Sequence, residues 1–260
     1  MRYCRYSSAD GPKYGLIEAI HGTDQITRIA RDGPLPNFDR PEKRAPVPLN
    51  SVSLLEPVRP SKVLCVGRNY ADHAKELGNE VPMEPLLFFK PPSSLLAHGA
   101  TIILPPSLSQ RVEYEGELTI VIGRTCRNLG PSEDVRPYIF GYTCANDVTA
   151  RDLQKKDGQW WRAKGFDTFC PVGPAVTDEI DPWAGVQVET RVNGGLKQSA
   201  STKIFIFPLD LIIRHISQVM TLLPGDIVLT GTPAGVGPLA SGDNVAVTVE
   251  GIGTLSNPVK

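Results

Sequence analysis

The sequence predicts a mostly β protein with few helices, of the α+β class. Short apolar runs rich in Val, Ile, Thr and Phe recur along the chain, and most are bounded by Gly, Pro, Asn or Asp, as strands joined by turns are. The 24 glycines and 24 prolines are spread over the 260 residues, which indicates many turns rather than one long linker. Only a few segments follow the helical period. The predicted strands are Tyr14–Ile20, Lys62–Val66, Leu86–Lys90, Thr101–Leu104, Leu118–Ile122, Ile139–Cys144, Val186–Val192, Asp226–Thr230 and Asn244–Val249.

Three helices are predicted between these strands. The clearest covers Leu209–Leu223, where apolar residues recur with the helical period between two prolines. Shorter helices are expected over Tyr70–Leu77, which is followed by a glycine, and over Val148–Lys156. Asn193-Gly194 and Ser241-Gly242 have the composition of hairpin-type turns.

Proline spacing divides the chain into two predicted domains. Residues 1–58 are expected to form a small N-terminal β-rich domain, because prolines crowd the segment from residue 34 to 48 and another precedes residue 61. Residues 59–260 contain almost all of the predicted strands and helices. We expect them to form the main domain.

Charge and cysteine content exclude several functional classes. The formal net charge of −1, from 27 basic and 28 acidic residues, argues against a nucleic acid or an anionic membrane as the main partner. The five cysteines include no C-x-x-C pair, so zinc and thioredoxin-like sites are not expected, and the odd number suits a reducing compartment. No apolar leader follows the first residues, and the most apolar long stretch contains charged residues. We therefore expect a cytoplasmic protein with no membrane partner.

Three alternating carboxylates give the sharpest local signal. Glu113, Glu115 and Glu117 would all project from one face of a strand. A solvated strand face is the simpler interpretation; the alternative is that a divalent cation offsets their repulsion, and oxygen ligands without His or Cys favour Mg²⁺ or Mn²⁺. Asp147, where a predicted strand passes into a predicted helix, is a candidate third ligand, although it could equally cap that helix.

Two further pairs have the spacing that places side chains on one helix face. His73 and Glu76 are three residues apart, so the carboxylate could orient and charge the imidazole. Arg151 and Gln154 have the same spacing. Taken alone, both pairs are more typical of a solvated helix surface than of an active site.

These segments together resemble the fumarylacetoacetate hydrolase family, in particular its shorter bacterial-type members that act as acylpyruvases or oxaloacetate decarboxylases. The resemblance covers about residues 60–258, and residues 1–58 resemble the small N-terminal domain that such proteins often carry. The motifs that carry it occur in the family's order: Gly67–His73, Glu113–Leu118, Asn146–Gln154, Lys164–Thr168 and Leu223–Gly237.

The resemblance implies the family's fold, assembly and site. It implies a fumarylacetoacetase-like β-roll built on a mixed sheet, a homodimer, and one Mg²⁺ or Mn²⁺ held by Glu115, Glu117 and Asp147, with Glu113 behind these ligands. It makes Lys164 a catalytic residue. It assigns the substrate contacts to Arg151, Gln154 and Thr232. It makes His73 and Glu76 a catalytic pair on a lid over the site.

The reaction implied by the resemblance begins with a small 2-oxo acid that chelates the metal ion. Water attack on the 4-carbonyl of a 2,4-dioxo acid, as in acylpyruvate hydrolysis, and loss of CO₂ from oxaloacetate both pass through a metal-bound enolate. One alternative is an isomerase or decarboxylase that acts on a 2-hydroxy-diene-dioate from aromatic degradation. Another, from a different class, is a catalytically silent metal-binding homologue.

Overall fold

The protein has nineteen strands and four α-helices over residues 1–260 of the computed structural model, which describes every side chain except those of residues 43 and 44. The strands are β1 (Arg2–Ser8), β2 (Gly11–Ile20), β3 (Thr23–Arg31), β4 (Glu42–Pro48), β5 (Leu54–Leu55), β6 (Val63–Gly67), β7 (Leu86–Lys90), β8 (Leu95–Leu96), β9 (Val112–Tyr114), β10 (Gly116–Ile122), β11 (Ile139–Asn146), β12 (Thr149–Ala150), β13 (Cys170–Thr177), β14 (Gln187–Val192), β15 (Gly195–Ser201), β16 (Ile227–Leu229), β17 (Gly237–Pro238), β18 (Asn244–Val249) and β19 (Gly253–Pro258). The helices are α1 (Ala71–Glu76), α2 (Arg151–Lys156), α3 (Trp161–Lys164) and α4 (Leu209–Val219). The predicted mostly β class is confirmed.

One large mixed sheet organises the molecule. Its strand order is β4-β3-β2-β1-β13-β11-β10-β16-β6-β7, with β5 beside β1 and β8 beside β13. Most neighbours are antiparallel, whereas β6 and β16 pair in parallel. Strand β1 pairs with β13 through Tyr3 and Val176, so the strands of residues 1–58 continue the sheet formed by the rest of the chain. Two smaller sheets have the orders β12-β9-β17 and β15-β14-β18-β19.

Strand β10 lies at the centre of the packing. All seven of its residues are buried, which explains why its sequence is a nearly continuous apolar run. Leu118 and Ile120 pack in the cluster that includes Ile212 of α4, while Val121 belongs to the cluster on the opposite face. Side chains that alternate between two cores hold this strand firmly, and the carboxylates at its beginning are therefore fixed in position.

Most predicted elements are confirmed within a few residues, and the remaining differences follow from tertiary pairing. The carboxylate segment is two strands rather than one, because β9 and β10 separate at Glu115 and join different sheets. The helix predicted from Val148 begins only at Arg151, because Thr149 and Ala150 pair with β9.

Two other predictions need correction. The expected strand over Thr101–Leu104 is wrong: Ile102 alone forms a bridge, to Val259. Helix α4 ends at Val219 because the chain then turns extended and pairs with the segment around Cys126.

The two expected turns differ in outcome. Asn193-Gly194 is the tight turn between β14 and β15, and both residues have positive φ, at 51° and 80°. Ser241-Gly242 also turns the chain, but β17 and β18 on either side belong to different sheets, so it is not a hairpin. Within the part of the chain that the structure describes, none of the helices is long and apolar enough to span a bilayer.

Candidate active site

Three carboxylates meet where β10 and β11 lie side by side. Strand pairing sets Glu117 opposite Ala145 and Gly116 opposite Asn146, so the next residue, Asp147, arrives beside Glu115. The Asp147 amide donates to the Glu115 carbonyl at 2.8 Å. One carboxylate oxygen from each of Glu115, Glu117 and Asp147 lies within 4.8 Å of the others, and we call these residues the acidic triad.

The glycine between the two glutamates is required by close packing. A Cβ on Gly116 would lie 2.0 Å from Thr190 Oγ1, which no side chain can tolerate. The Gly116 N–H also donates to Gln198 Oε1 at 3.0 Å. The Glu-Gly-Glu motif therefore lets the backbone pass close to β14 and β15 while both glutamates stay in the site.

Buried cations compensate most of the negative charge of the triad. The Lys164 ammonium donates to Glu115 Oε2 at 2.7 Å and to Asp147 Oδ2 at 2.6 Å, and the Lys90 ammonium donates to Asp147 Oδ1 at 2.7 Å. Arg151 forms an ion pair with the other oxygen of Glu115. Burial alone would raise the pKa of Glu115, but the charges of Lys164 and Arg151 outweigh it and hold this pKa well below its ordinary value.

Glu117 is the member of the triad that lacks a cationic partner among the described side chains. Its carboxylate accepts the Gly231 N–H at 2.6 Å and is fully buried. Burial, followed by the nearby charges of Asp147 and Glu115, raises the pKa of Glu117 well above its ordinary value. A divalent cation among these oxygens would stabilise the Glu117 carboxylate, so the residues present fit a hard ion such as Mg²⁺ or Mn²⁺.

Glu113 lies behind the triad rather than in it. Its carboxylate oxygens accept from Arg111 Nε and from Arg151 Nε, each at 2.6 Å. Since Arg151 also binds Glu115, Glu113 fixes the guanidinium that in turn orients a triad carboxylate.

The helix α1 brings His73 to the same site. The Asn69 side chain, just before this helix, donates to the Thr230 carbonyl and accepts from the Phe207 amide, which anchors the helix entry. His73 is 4% exposed, and its Nδ1 lies 3.4 Å from Glu76 Oε2. Glu76 also accepts the Gly235 N–H at 3.0 Å.

The contact with Glu76 determines the tautomer of His73, and the burial of His73 determines its charge. A carboxylate only accepts hydrogen bonds, so the imidazole proton lies on Nδ1 and the lone pair on Nε2. Burial is the main cause that lowers the pKa of His73 below its ordinary value of 6.5, although Glu115 and Glu76 oppose it. At neutral pH His73 is therefore an uncharged base.

A cavity of about 190 Å³ joins these groups. The triad, Lys164 and His73 all lie in its wall, as do Gln154 and Thr232, whereas Glu76 stands behind His73. The volume is below the roughly 300–1,000 Å³ of pockets that hold drug-sized ligands, which suits a small metabolite.

Comparison with known sequences now identifies the family. Residues 62–260 match the domain described as Fumarylacetoacetate (FAA) hydrolase C-terminal, and residues 1–57 match the one described as Rv2993c-like, N-terminal. The chain belongs to the fumarylacetoacetate hydrolase family. The resemblance noted in the sequence is thus confirmed.

Similar proteins within this family include named enzymes. Protein Rv2993c of Mycobacterium tuberculosis is 46% identical, over 100% of this chain and 98% of that protein. The crystal structure of 5-carboxymethyl-2-hydroxymuconate delta-isomerase from Mycobacterium smegmatis superposes with a TM-score of 0.88 at 43% identity, over 100% and 99% of the two chains. Oxaloacetate tautomerase YisK of Bacillus subtilis is 42% identical, over 81% of this chain and 74% of that protein.

The three residues that the family resemblance assigned to substrate contact differ in their free hydrogen-bonding groups. Arg151 uses its guanidinium on Glu113, Glu115 and Gln154. The Thr232 hydroxyl donates to the Gly116 carbonyl and accepts from Gln198. The Gln154 amide NH₂ makes no hydrogen bond among the described groups. The substrate contacts stay predictions, and Gln154 has the clearest free donor.

Two residues of this family site were missed in the sequence. Lys90 holds Asp147, yet it was regarded only as the last residue of a strand. Its position after an apolar run is a usable signal, because a lysine that is buried there, as Lys90 is, needs a carboxylate. Gln198 joins Gly116 to Thr232 from β15, and no local pattern distinguishes it from a surface glutamine.

Proposed function

We propose that this member of the fumarylacetoacetate hydrolase family is a divalent-cation-dependent enzyme that forms and reprotonates the enolate of a small 2-oxo acid. On this proposal its main reaction is enol–keto isomerisation. The observation that carries the proposal is an uncharged base, His73, in the wall of the same small cavity as the acidic triad. An enolate needs both a base at carbon and positive charge at oxygen, and this cavity provides for both.

Different side chains act on the two reacting positions of the substrate, the 2-oxo oxygen and C3. A cation held by the triad would supply Lewis acidity at the 2-oxo oxygen. In the keto-to-enol direction His73 Nε2 takes a proton from C3 and the enolate oxygen gains one from solvent; in the enol-to-keto direction the enol oxygen loses its proton to solvent and His73 delivers a proton to C3. The Glu76 carboxylate stabilises the imidazolium in between, because it accepts the Nδ1–H.

Lys164 contributes fixed positive charge beside the reacting oxygen. Burial lowers its pKa, but Asp147 and Glu115 outweigh this effect and raise the pKa of the ammonium above its ordinary value. Lys164 is therefore charged throughout the reaction and acts as an electrostatic stabiliser rather than as a proton carrier.

The names of similar proteins support isomerisation as the first candidate. A relative at 42% identity is called an oxaloacetate tautomerase, and the similar solved structure at 43% identity is called a delta-isomerase. Both names describe movement of a proton within a 2-oxo or 2-hydroxy-diene acid. Proton movement through an enolate is the chemistry that His73 and the triad favour.

Carbon–carbon cleavage is the second candidate, because the His73–Glu76 pair could also activate water. The pair could take a proton from water that attacks the 4-carbonyl of a 2,4-dioxo acid, which is acylpyruvate hydrolysis. Decarboxylation of oxaloacetate reaches the same enolate without attacking water. The complete set of His73, Glu76 and Lys164 argues against a catalytically silent protein. The choice of Mg²⁺ or Mn²⁺ and the homodimer stay predictions from the family resemblance.

Exchange of the C3 protons tests the first candidate directly. We expect the Mg²⁺-loaded protein to accelerate deuterium incorporation at C3 of 2-oxo acids in D₂O, followed by proton NMR, because His73 exchanges its proton with solvent between removal and return. The same spectra report pyruvate, CO₂ loss or a released carboxylic acid if cleavage dominates. Release of cleavage products without any C3 exchange in the remaining substrate would reject isomerisation.

The pH profile should report the ionisation of His73. The base must be uncharged, so kcat/KM should be full above the His73 pKa and fall as the pH drops through it, with a midpoint below 6.5. Because Glu76 raises the His73 pKa, Glu76→Gln should move this midpoint to lower pH. A midpoint that moves upward in Glu76→Gln, or stays unchanged in His73→Gln, would assign the acid limb to another group.

A further inference from the structure

One glutamine amide reaches the active site from a strand that otherwise lies at the surface. Along β15, all of whose residues the structure describes, Gln198 is the one buried position, at 1% exposure. Its side-chain oxygen accepts from the Gly116 N–H at 3.0 Å, and its NH₂ group donates to Thr232 Oγ1 at 2.8 Å and to the Pro233 carbonyl at 2.7 Å. A buried amide that uses its acceptor and both donors in one place is held in a single orientation.

The chemistry of these partners fixes the direction of each hydrogen bond. Only the oxygen of an amide can accept from the Gly116 N–H, so the NH₂ group of Gln198 must face Thr232. Because the Thr232 hydroxyl accepts from that NH₂ group, its own proton goes to the Gly116 carbonyl, 3.0 Å away. The Gln198 amide, the Thr232 hydroxyl and the backbone of Gly116 therefore close a ring of hydrogen bonds.

This ring holds the backbone between the two glutamates of the acidic triad. The ladder between β10 and β16 covers residues 119–121 of β10, and at Gly116 side chains bind the backbone N–H and carbonyl instead. Glu115 and Glu117 flank this glycine, so the distance between their carboxylates depends on where the ring places it. Glycine has no side chain with which to hold the backbone there itself.

Gln198 also acts on the triad by a second route. Glu117, the triad member without a cationic partner among the described side chains, accepts the Gly231 N–H at 2.6 Å. Gly231 directly precedes Thr232 and Pro233, the two residues to which Gln198 donates. The same amide thus holds both the backbone between the glutamates and the loop that binds the Glu117 carboxylate.

We propose that Gln198 is a positioning residue that sets the affinity of the acidic triad for its divalent cation. It acts through Gly116 on the spacing of Glu115 and Glu117, and through residues 231–233 on the orientation of the Glu117 carboxylate. Groups that orient metal ligands without touching the ion typically contribute about 10–100-fold to metal affinity. This inference rests on the proposed function, in which the triad holds that ion.

Titration of the metal-free protein with Mg²⁺ or Mn²⁺ tests this inference without any substrate. The variant is Gln198→Met, which keeps the length of the side chain and removes the amide. The matched control is Gln187→Met on the neighbouring strand β14, where the amide donates to Ser199 Oγ. Calorimetry measures the dissociation constant at a temperature where thermal unfolding shows each metal-free protein to be fully folded, so that lower stability is not counted as weaker binding.

Gln198→Met should raise the dissociation constant of both ions by about 10–100-fold. Gln187→Met should change it by less than about threefold, as a substitution outside the site does. In the C3 exchange assay, the concentration of Mg²⁺ that gives half of the full rate should rise in Gln198→Met by the same factor as the dissociation constant. Saturating Mg²⁺ should restore most of kcat, because the ligands and His73 are unchanged.

Thr232→Val provides a second test that does not depend on the folding of Gln198→Met. Valine has nearly the shape of threonine but lacks the hydroxyl, so it opens the ring between Gln198 and the Gly116 carbonyl. We expect the affinity for the cation to fall, and the double variant to lose much less than the product of the two single effects, because both changes open one ring. Unchanged affinity in Thr232→Val, or fully multiplicative effects in the double variant, would overturn the ring as the cause.

The outcomes separate this inference from the proposed function. A Gln198→Met protein that melts earlier but binds both ions as tightly as the wild type would overturn the positioning role and leave enolate formation intact. Weaker binding by Gln198→Met, beside a wild-type protein that binds Mg²⁺ yet shows no C3 exchange with any 2-oxo acid, would support the positioning role and reject the proposed reaction.

Discussion

Glu117→Gln should lower activity by about 10³-fold or more, and treatment with EDTA should have the same effect on the wild-type protein. The reason is that a Lewis acid at the 2-oxo oxygen contributes several kcal/mol to the transition state, at 1.36 kcal/mol for each tenfold in rate. Glutamine keeps the size of the side chain and can still accept the Gly231 N–H, but it removes one of the three ligand charges. Added Mg²⁺ or Mn²⁺ should restore only the EDTA-treated wild type.

Thermal unfolding separates loss of the ion from loss of the fold. Without divalent cations, Glu117→Gln should melt no earlier than the wild-type protein, since it removes a buried carboxylate that faces Glu115 and Asp147. Mg²⁺ should raise the Tm of the wild type and of the control Glu189→Gln, which changes a partly exposed carboxylate of β14 that pairs with Arg191, but not that of Glu117→Gln. Full activity in EDTA would contradict the cation requirement.

The carboxylates that are close together in sequence could be predicted as neighbours in the site, because side chains alternate regularly between the two faces of a strand. Glu115 and Glu117 are two residues apart, so their shared face follows from the period of a strand even though the strand breaks at Glu115. Asp147 was a candidate because it lies where a predicted strand passes into a predicted helix. These predictions depend only on residues that are close in sequence. They were therefore unaffected where the predicted ends of strands and helices were wrong.

The charges that compensate the triad could not be predicted in this way. Lys90 is 57 residues from Asp147, and three strands lie between β11 and β7 in the sheet order, so only the folded molecule brings these two side chains together. Arg151 has the spacing of a surface residue on α2, yet it is 2% exposed because Glu113 and Glu115 need its guanidinium. Burial of a charge is decided by partners from distant strands, and a single sequence does not contain their register.

His73→Ala should separate the candidate reactions by the size of its effect on each. Enol–keto exchange and acylpyruvate hydrolysis both need the imidazole to take a proton, so kcat for either should fall by about 10²–10⁴-fold, the usual contribution of a positioned base. Decarboxylation of oxaloacetate needs no base, because departing CO₂ leaves the electron pair that becomes the enolate. The variant should therefore keep much more of its decarboxylase activity, with KM changed less than kcat.

The matched control for this comparison is His215→Ala on α4, which removes a helical imidazole that does not line the cavity. We expect it to leave the ratio of the reaction rates unchanged. Measured side by side, His73→Ala should thus turn an enzyme that mainly moves protons into one whose remaining activity is mainly loss of CO₂. If exchange, hydrolysis and decarboxylation fell equally, His73 would act by closing α1 over the substrate rather than as the base, because all three reactions need an enclosed substrate whereas only two of them need a base.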